Sequence, residues 1–246
     1  EDSRNLGRVS LTTILARSSN VGVTKLAMQL EPDQLWETMT NFGFGALTSS
    51  GFPGESAGRL TYFSHWKPIN QATLAYGYGV SVTPLQLAQA YASIGDGGGL
   101  RPVSLVGLDQ PADSRQVIAE DTAVAVRRML EEVVRPGGTG TKASVDGYRI
   151  AGKTGTAWKA AEGGYSKDKY ISIFAGLAPA SEPRLASVVG IDEPRGELYY
   201  GSDVAAPVFA DVMAESLRLL AVAPDGMPVR ANGESLRAMA ERTTSQ

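Results

Sequence analysis

The chain has no cysteine and a single histidine in 246 residues. Without cysteine there is no disulfide, no thiol nucleophile and no thiolate metal ligand. That is compatible with an oxidising compartment without establishing one. One imidazole, His65, cannot build a histidine-rich metal site, and neither a metal nor a cofactor is expected. A Ser-His-Asp triad would have to use His65, which stands in no triad context. No run of eighteen or more apolar residues occurs, so no segment reads as a membrane span. Basic blocks are missing too, and 23 Lys and Arg against 26 Asp and Glu leave a net charge of −3. Nothing there points to a nucleic-acid partner. The chain begins without Met or a signal-like segment and is expected to be a processed or truncated portion of a longer protein.

What is present is the composition of a soluble globular protein, 43% hydrophobic and 20% charged, long enough to bury a core. Residues 10–30 read as helical, with Ser10 as N-cap and a polar interruption at Ser18-Ser19-Asn20. Residues 43–64 are rich in Gly, Ser and Thr and read as loop. Thr83-Pro84 starts a helix that Gly97-Gly98-Gly99 ends. Residues 121–134 read as an amphipathic helix with Val126, Leu130, Val133 and Val134 facing in. The period then changes to strands at Tyr148–Ala157, Tyr170–Leu177 and Leu185–Asp192, whose short connections favour antiparallel neighbours. Ser202 is expected to cap a last helix to about Leu220, with Val208, Val212 and Leu219 as its apolar residues. Residues 1–221 are read as one domain portion and 222–246 as a polar tail. No internal repeat occurs.

Lys153-Thr154-Gly155-Thr156 is the most informative stretch. On a strand, Lys153 and Gly155 point one way and Thr154 and Thr156 the other. Gly155 permits close approach of a ligand or backbone. An edge strand there can pair with an extended peptide-like substrate, and Lys153 supplies positive charge for a carboxylate or oxyanion. Alone, the string is common. Ser18-Ser19-Asn20 alone likewise reads as a capping or turn cluster. Together, Ser-x-Asn on a helix junction far upstream of Lys-Thr-Gly-Thr on a strand follows the order of the last two motifs of the penicillin-recognising serine acyltransferases.

Further segments carry the same resemblance. Ala75-Tyr76-Gly77-Tyr78-Gly79-Val80-Ser81-Val82-Thr83-Pro84-Leu85-Gln86-Leu87-Ala88 resembles class B penicillin-binding proteins. So do Ser19-Asn20-Val21-Gly22, Gly138-Thr139-Gly140-Thr141 and Phe174-Ala175-Gly176-Leu177-Ala178-Pro179. The likeness runs from about Leu6 to Leu220 and is strongest to the division-specific peptidoglycan transpeptidases of the penicillin-binding protein 3 type.

That resemblance implies an α/β (α+β) fold of the penicillin-binding transpeptidase and serine β-lactamase kind. Its antiparallel five-stranded sheet is flanked by helices, and this chain would supply the three C-terminal strands. It implies D,D-transpeptidation of peptidoglycan stem peptides by serine acyl transfer, with β-lactam antibiotics trapping the serine. Ser18 would relay a proton. Asn20 would donate to the substrate's amide carbonyl. Lys153 would polarise Ser18 and attract the substrate carboxylate, and the Thr154 and Thr156 hydroxyls would bind it. The Thr156 N–H would form half of an oxyanion hole. Tyr78, Tyr199 and Tyr200 are candidates for an aromatic wall, with core packing as the alternative; Trp158 could face the cleft or solvent. Implied partners are the N-terminal remainder of the same protein and cell-division proteins. The implied location is the periplasmic face of the bacterial inner membrane, with an N-terminal anchor helix outside this chain.

One expected part is missing. The nucleophilic serine of Ser-x-x-Lys should precede Ser-x-Asn by several dozen residues, before Glu1, so this fragment alone is expected to be inactive. Ser64-His65-Trp66-Lys67 and Ser166-x-x-Lys169 match the letters but sit in the wrong places, the second in a turn between strands. Two other readings stay open: a D,D-carboxypeptidase or serine β-lactamase, and a non-catalytic β-lactam sensor or scaffold.

Overall fold

The structure, a computed structural model, describes residue 2 and residues 5–161 and 164–226. Helices α1 (Leu11–Ala16) and α2 (Asn20–Ala27) form the expected broken pair, and α3 (Pro32–Asn41) follows. A short strand β1 (Arg59–Leu60) pairs with β2 (Val80–Ser81) on either side of α4 (Pro68–Leu74). Next come α5 (Pro84–Gly95), a two-residue pair β3 (Gly99–Leu100) and β4 (Arg115–Gln116), and α6 (Glu120–Val134). Strands β5 (Ala151–Ala161), β6 (Gly164–Ala178) and β7 (Leu185–Asp192) make one antiparallel sheet in that order, and α7 (Gly201–Val204) and α8 (Ala206–Leu219) close the chain.

The sheet's period of two separates its residues into two cores. Phe174 and Ala178 of β6 pack with Phe209, Met213 and Leu217 of α8. Leu177 of β6 and Ala151 of β5 pack on the other face with Leu130 of α6 and Tyr91 and Ile94 of α5. Each face therefore carries at least one helix, which is what fixes β5 in place. Arg149, just before β5, donates to Glu131 of α6 through Nε and a terminal nitrogen, both at 2.9 Å. Residues 222–226 are tied to the same corner. Tyr148 Oη donates to the Val222 carbonyl at 2.6 Å, and the Asp225 carboxylate accepts from the Arg149 and Ser181 N–H groups. The rest of the expected tail lies outside the described residues.

Several expectations are corrected. The 43–64 stretch is loop with a strand in it, β1, and it is flanked by two helices not expected from the sequence, α3 and α4. In α4, Gln71 is buried beside Leu74, and its Nε2 donates to the carbonyls of Ala27 and Leu30 at 2.9 Å each and closes the C-terminal end of α2. In α5, fully buried Gln86 donates to the Ala46 and Ala57 carbonyls and holds the loop before it. Ladder pairing in β5 starts at Ala151, while Tyr148 makes only an isolated bridge to Val145. Ser202 is not the last helix's cap: it lies inside α7, whose N-cap is Tyr200, and the helix is broken before α8. Val208, Val212 and Leu219 are exposed; Phe209, Met213 and Leu217 carry α8's packing.

Candidate active site

The first wall of the site is the α1–α2 junction. The Ser18 N–H donates to the Leu15 carbonyl at 3.1 Å and the Ser19 N–H to Ile14 at 2.9 Å. This is the paired closure that ends many helices, with glycine usual at the left-handed position. Here that position is Ser18, at φ 53°, a conformation that costs a non-glycine residue about 1–2 kcal/mol. In exchange, the chain turns sharply and the Ser18 hydroxyl projects away from α1. Ser19 is buried and caps α2, its Oγ accepting from the Gly22 N–H at 2.9 Å and donating to the Asp2 carboxylate. Asp2 also accepts from the Val21 N–H. Burial works against its charge, but these bonds from Ser19 and Val21 prevail and hold its carboxyl below the ordinary range. A Cβ on Gly22 would lie 2.7 Å from Ile14, so α2 starts hard against α1 and Asn20 is fixed at its first position.

The second wall is β5, the outer strand of its sheet. Lys153 Nζ donates to Ser18 Oγ at 2.9 Å and to the Thr154 carbonyl at 3.0 Å. Burial pushes this amine down to about 8, because a desolvated ammonium is disfavoured where no carboxylate offsets it. The threonines point the other way, as their alternation requires. Thr154 Oγ1 shares a hydrogen bond of 3.1 Å with Thr139 Oγ1. Thr156 Oγ1 accepts the Gly201 N–H at 2.9 Å, which leaves the hydroxyl proton to donate into the cleft. Gly201 comes so close that a Cβ would stand 2.4 Å from the Gly155 and Ile173 carbonyl oxygens. Lys142, beside the Thr139 loop, pairs with Asp203 of α7 at 2.7 Å. The two loops that bond the motif threonines are thus pinned to each other.

The third wall is aromatic. Tyr170 stacks on Tyr199 with centroids 4.2 Å apart, and Tyr199 on Tyr200 at 4.5 Å. Ser172 Oγ donates to the Tyr199 carbonyl and anchors the stack to β6. The hydrogen bond to Tyr200, then desolvation, pushes the Tyr199 phenol up to about 12, so it stays neutral. Across the cleft, Tyr78 meets Tyr165 edge-on at 4.8 Å.

Ser18, Asn20, Tyr78, Lys153, Thr154, Gly155, Thr156, Tyr199 and Tyr200 all line one cleft of ≈ 1100 Å³. Trp158 lines it too, half-exposed, which resolves its orientation. Thr139 and Tyr170 belong to the cleft without having been singled out. Thr139 stands in the Gly-Thr-Gly-Thr segment already quoted, whereas Tyr170 reads in sequence as an ordinary strand residue. Neither Ser64 and Lys67 nor Ser166 and Lys169 line the cleft. Ser166 sits within β6 rather than in a turn, bonded to Asp168. The arrangement combines a strand edge for peptide pairing, a cation with two hydroxyls for a carboxylate, and a Ser–Lys hydrogen bond for proton transfer.

Residues 1–214 match the family described as penicillin binding protein transpeptidase domain. The chain is 44% identical over 227 residues to the peptidoglycan D,D-transpeptidase FtsI of Escherichia coli (strain K12), covering 92% of this chain and 39% of that protein. It is 42% identical over 219 residues to the probable peptidoglycan D,D-transpeptidase PbpC of Pseudomonas aeruginosa, again covering 39% of the relative. Among solved structures, the apo TP domain from Burkholderia pseudomallei penicillin-binding protein 3 superposes with a TM-score of 0.87 at 42% identity, over 92% of this chain and 69% of that one. This chain, which spans 39% of those curated relatives, belongs to the penicillin-binding protein transpeptidase domain family.

Proposed function

We propose that this chain is the C-terminal part of a serine D,D-transpeptidase domain that cross-links peptidoglycan stem peptides and is acylated by β-lactams. A single observation carries the reading: Lys153 Nζ bonds Ser18 Oγ at 2.9 Å beside the outer edge of β5. In the reaction, a serine of an upstream Ser-x-x-Lys attacks the carbonyl of the penultimate D-Ala. The bond to the terminal D-Ala breaks, its nitrogen takes a proton relayed through Ser18, and an amine from a neighbouring strand then displaces the serine. Lys153 and the Thr154 and Thr156 hydroxyls hold the substrate carboxylate, and the Thr156 N–H faces the developing oxyanion. Asn20 donates to the substrate amide. The remaining two strands of the sheet come from the upstream segment and join at β7, whose outer edge and the exposed Val208 and Val212 of α8 suit such a cover.

The relatives' names support the peptidoglycan D,D-transpeptidase activity. We extend it to septal cell-wall synthesis at the periplasmic face of the inner membrane, with cell-division proteins as partners and an upstream anchor. No helix among the described residues is long and apolar enough to cross a membrane. Residues 1–221 and the 222–226 segment that Val222 and Asp225 tie to them are the domain portion, and the remainder of 222–246 is its C-terminal extension. Labelling the full-length protein with a fluorescent penicillin tests the reading. Wild type should label, and Ser18→Ala and Lys153→Ala should each slow labelling by about 10²-fold or more. Absence of wild-type labelling would sink it, and rapid penicillin hydrolysis would replace transpeptidation with a β-lactamase.

A further inference from the structure

The outer edge of β5 carries its own stop. In an antiparallel sheet, alternate residues turn both N–H and C=O away from the neighbouring strand. The Trp158 N–H donates to Tyr78 Oη at 3.2 Å, so Trp158 belongs to the outward set, together with Thr156 and Thr154. At one end of that set the Thr154 carbonyl already accepts from Lys153. At the other end the Trp158 N–H is occupied by the tyrosine. Among the described residues, Thr156, between them, is the outward residue whose two backbone groups take no other partner.

The cap is braced from several sides. Tyr78 follows α4, and its N–H donates to the Thr73 carbonyl at 3.1 Å. Its ring meets Tyr165 edge-on at 4.8 Å and 85°, and Tyr76 at 5.8 Å and 67°. Tyr165 comes from the β5–β6 hairpin, so Tyr78 bridges the helical side of the cleft to the far end of the motif strand. Trp158 and Tyr165 are each 49% exposed and present an aromatic surface where the pairing edge ends.

We infer that Tyr78 is a specificity-determining residue: its hydroxyl takes the Trp158 N–H and ends strand pairing with the donor peptide after Thr156. This rests on the transpeptidase reading, which puts the substrate carboxylate near Lys153 and runs the rest of the peptide along the edge toward Trp158. Beyond Thr156 the peptide leaves the strand and lies on the Trp158 and Tyr165 rings, which accept apolar or planar groups regardless of sequence. A further peptide carbonyl in the ligand gains no backbone donor there.

The test uses the full-length protein, wild type and Tyr78→Phe, with two penicillins of the same nucleus. One carries a phenylacetyl side chain; the other adds an amide carbonyl one residue further out. Freeing the Trp158 N–H should raise the ratio of acylation rates, extended over short, roughly 2- to 10-fold in Tyr78→Phe, the range of one ordinary hydrogen bond. Hydrogen exchange at the Trp158 amide should accelerate in the same variant. A ratio that stays level or falls while wild type labels normally overturns the inference and leaves the transpeptidase reading intact. Failure of wild type to label overturns that reading instead. Unchanged exchange at Trp158 overturns the cap whatever the labelling shows.

Discussion

Ser18 and Lys153 stand 135 positions apart in the chain and meet at 2.9 Å, Lys153 Nζ donating to Ser18 Oγ. A left-handed serine supplies one partner and an outer strand the other, so the contact joins the helical part of the molecule to its sheet. The amine is the sensitive member. Burial holds it at about 8 against an ordinary 10.5, near enough to neutrality for its charge to depend on the medium.

A pH dependence follows from that depression. Lys153 is charged below about 8 and loses its proton above it, so its pull on a substrate carboxylate fades in the same direction. Acylation of the full-length protein by a carboxylate-bearing penicillin should therefore fall as pH rises through about 8, steepening toward tenfold per unit above it. For stability the sign is opposite. Between about 8 and 10.5 the unfolded chain holds the proton that the folded chain has lost, so this group makes stability rise with pH over that window. Lys153→Met should remove the rise in urea titrations run across it; an identical slope in the variant would contradict the assignment.

The backbone at Ser18 predicts a separation of stability from activity. Ser18→Gly relieves a φ of 53°, whereas Ser18→Ala keeps the left-handed strain and loses the hydroxyl. Ser18→Gly should be more stable than Ser18→Ala by about 1 kcal/mol, and both should label slowly. Denaturant midpoints together with penicillin labelling check this. Equal stabilities would mean that the junction is not strained.

Gly201 fixes Thr156 by close approach rather than by any property of a side chain. In Gly201→Ala the added carbon would meet two carbonyl oxygens at 2.4 Å, and α7 would have to move off β5, taking its N–H from Thr156. Expected losses are about 2 kcal/mol of stability and roughly tenfold in labelling rate, because Thr156's hydroxyl then loses its fixed orientation. Thermal melts and labelling rates measured together decide it. A variant that melts lower but labels at the wild-type rate would show that the Gly201 contact is structural only.

Much of this was legible in the residues, for identifiable reasons. Thr83-Pro84 marks a helix start locally, and β6 and β7 show as apolar runs, because both signals depend on near neighbours. Ser18, Asn20 and the Lys153–Thr156 strand were legible because their types and order carry chemistry. Gln71 and Gln86 hid what they do, since a buried glutamine holding distant carbonyls leaves no period in the chain. The same holds for Tyr170, whose membership of the aromatic stack depends on a turn 29 positions later that Ser172 holds in place. In α8, apolar residues stand on more than one side, and only packing against Phe174 shows that Phe209 rather than Val208 faces in.

The most direct test of the central claim is to locate the penicilloyl group on the acylated full-length protein by peptide mass spectrometry. The account predicts one modified serine, in a Ser-x-x-Lys upstream of residue 1, with Ser18, Ser64 and Ser166 unmodified. A penicilloyl group on any serine within residues 1–246 would contradict it.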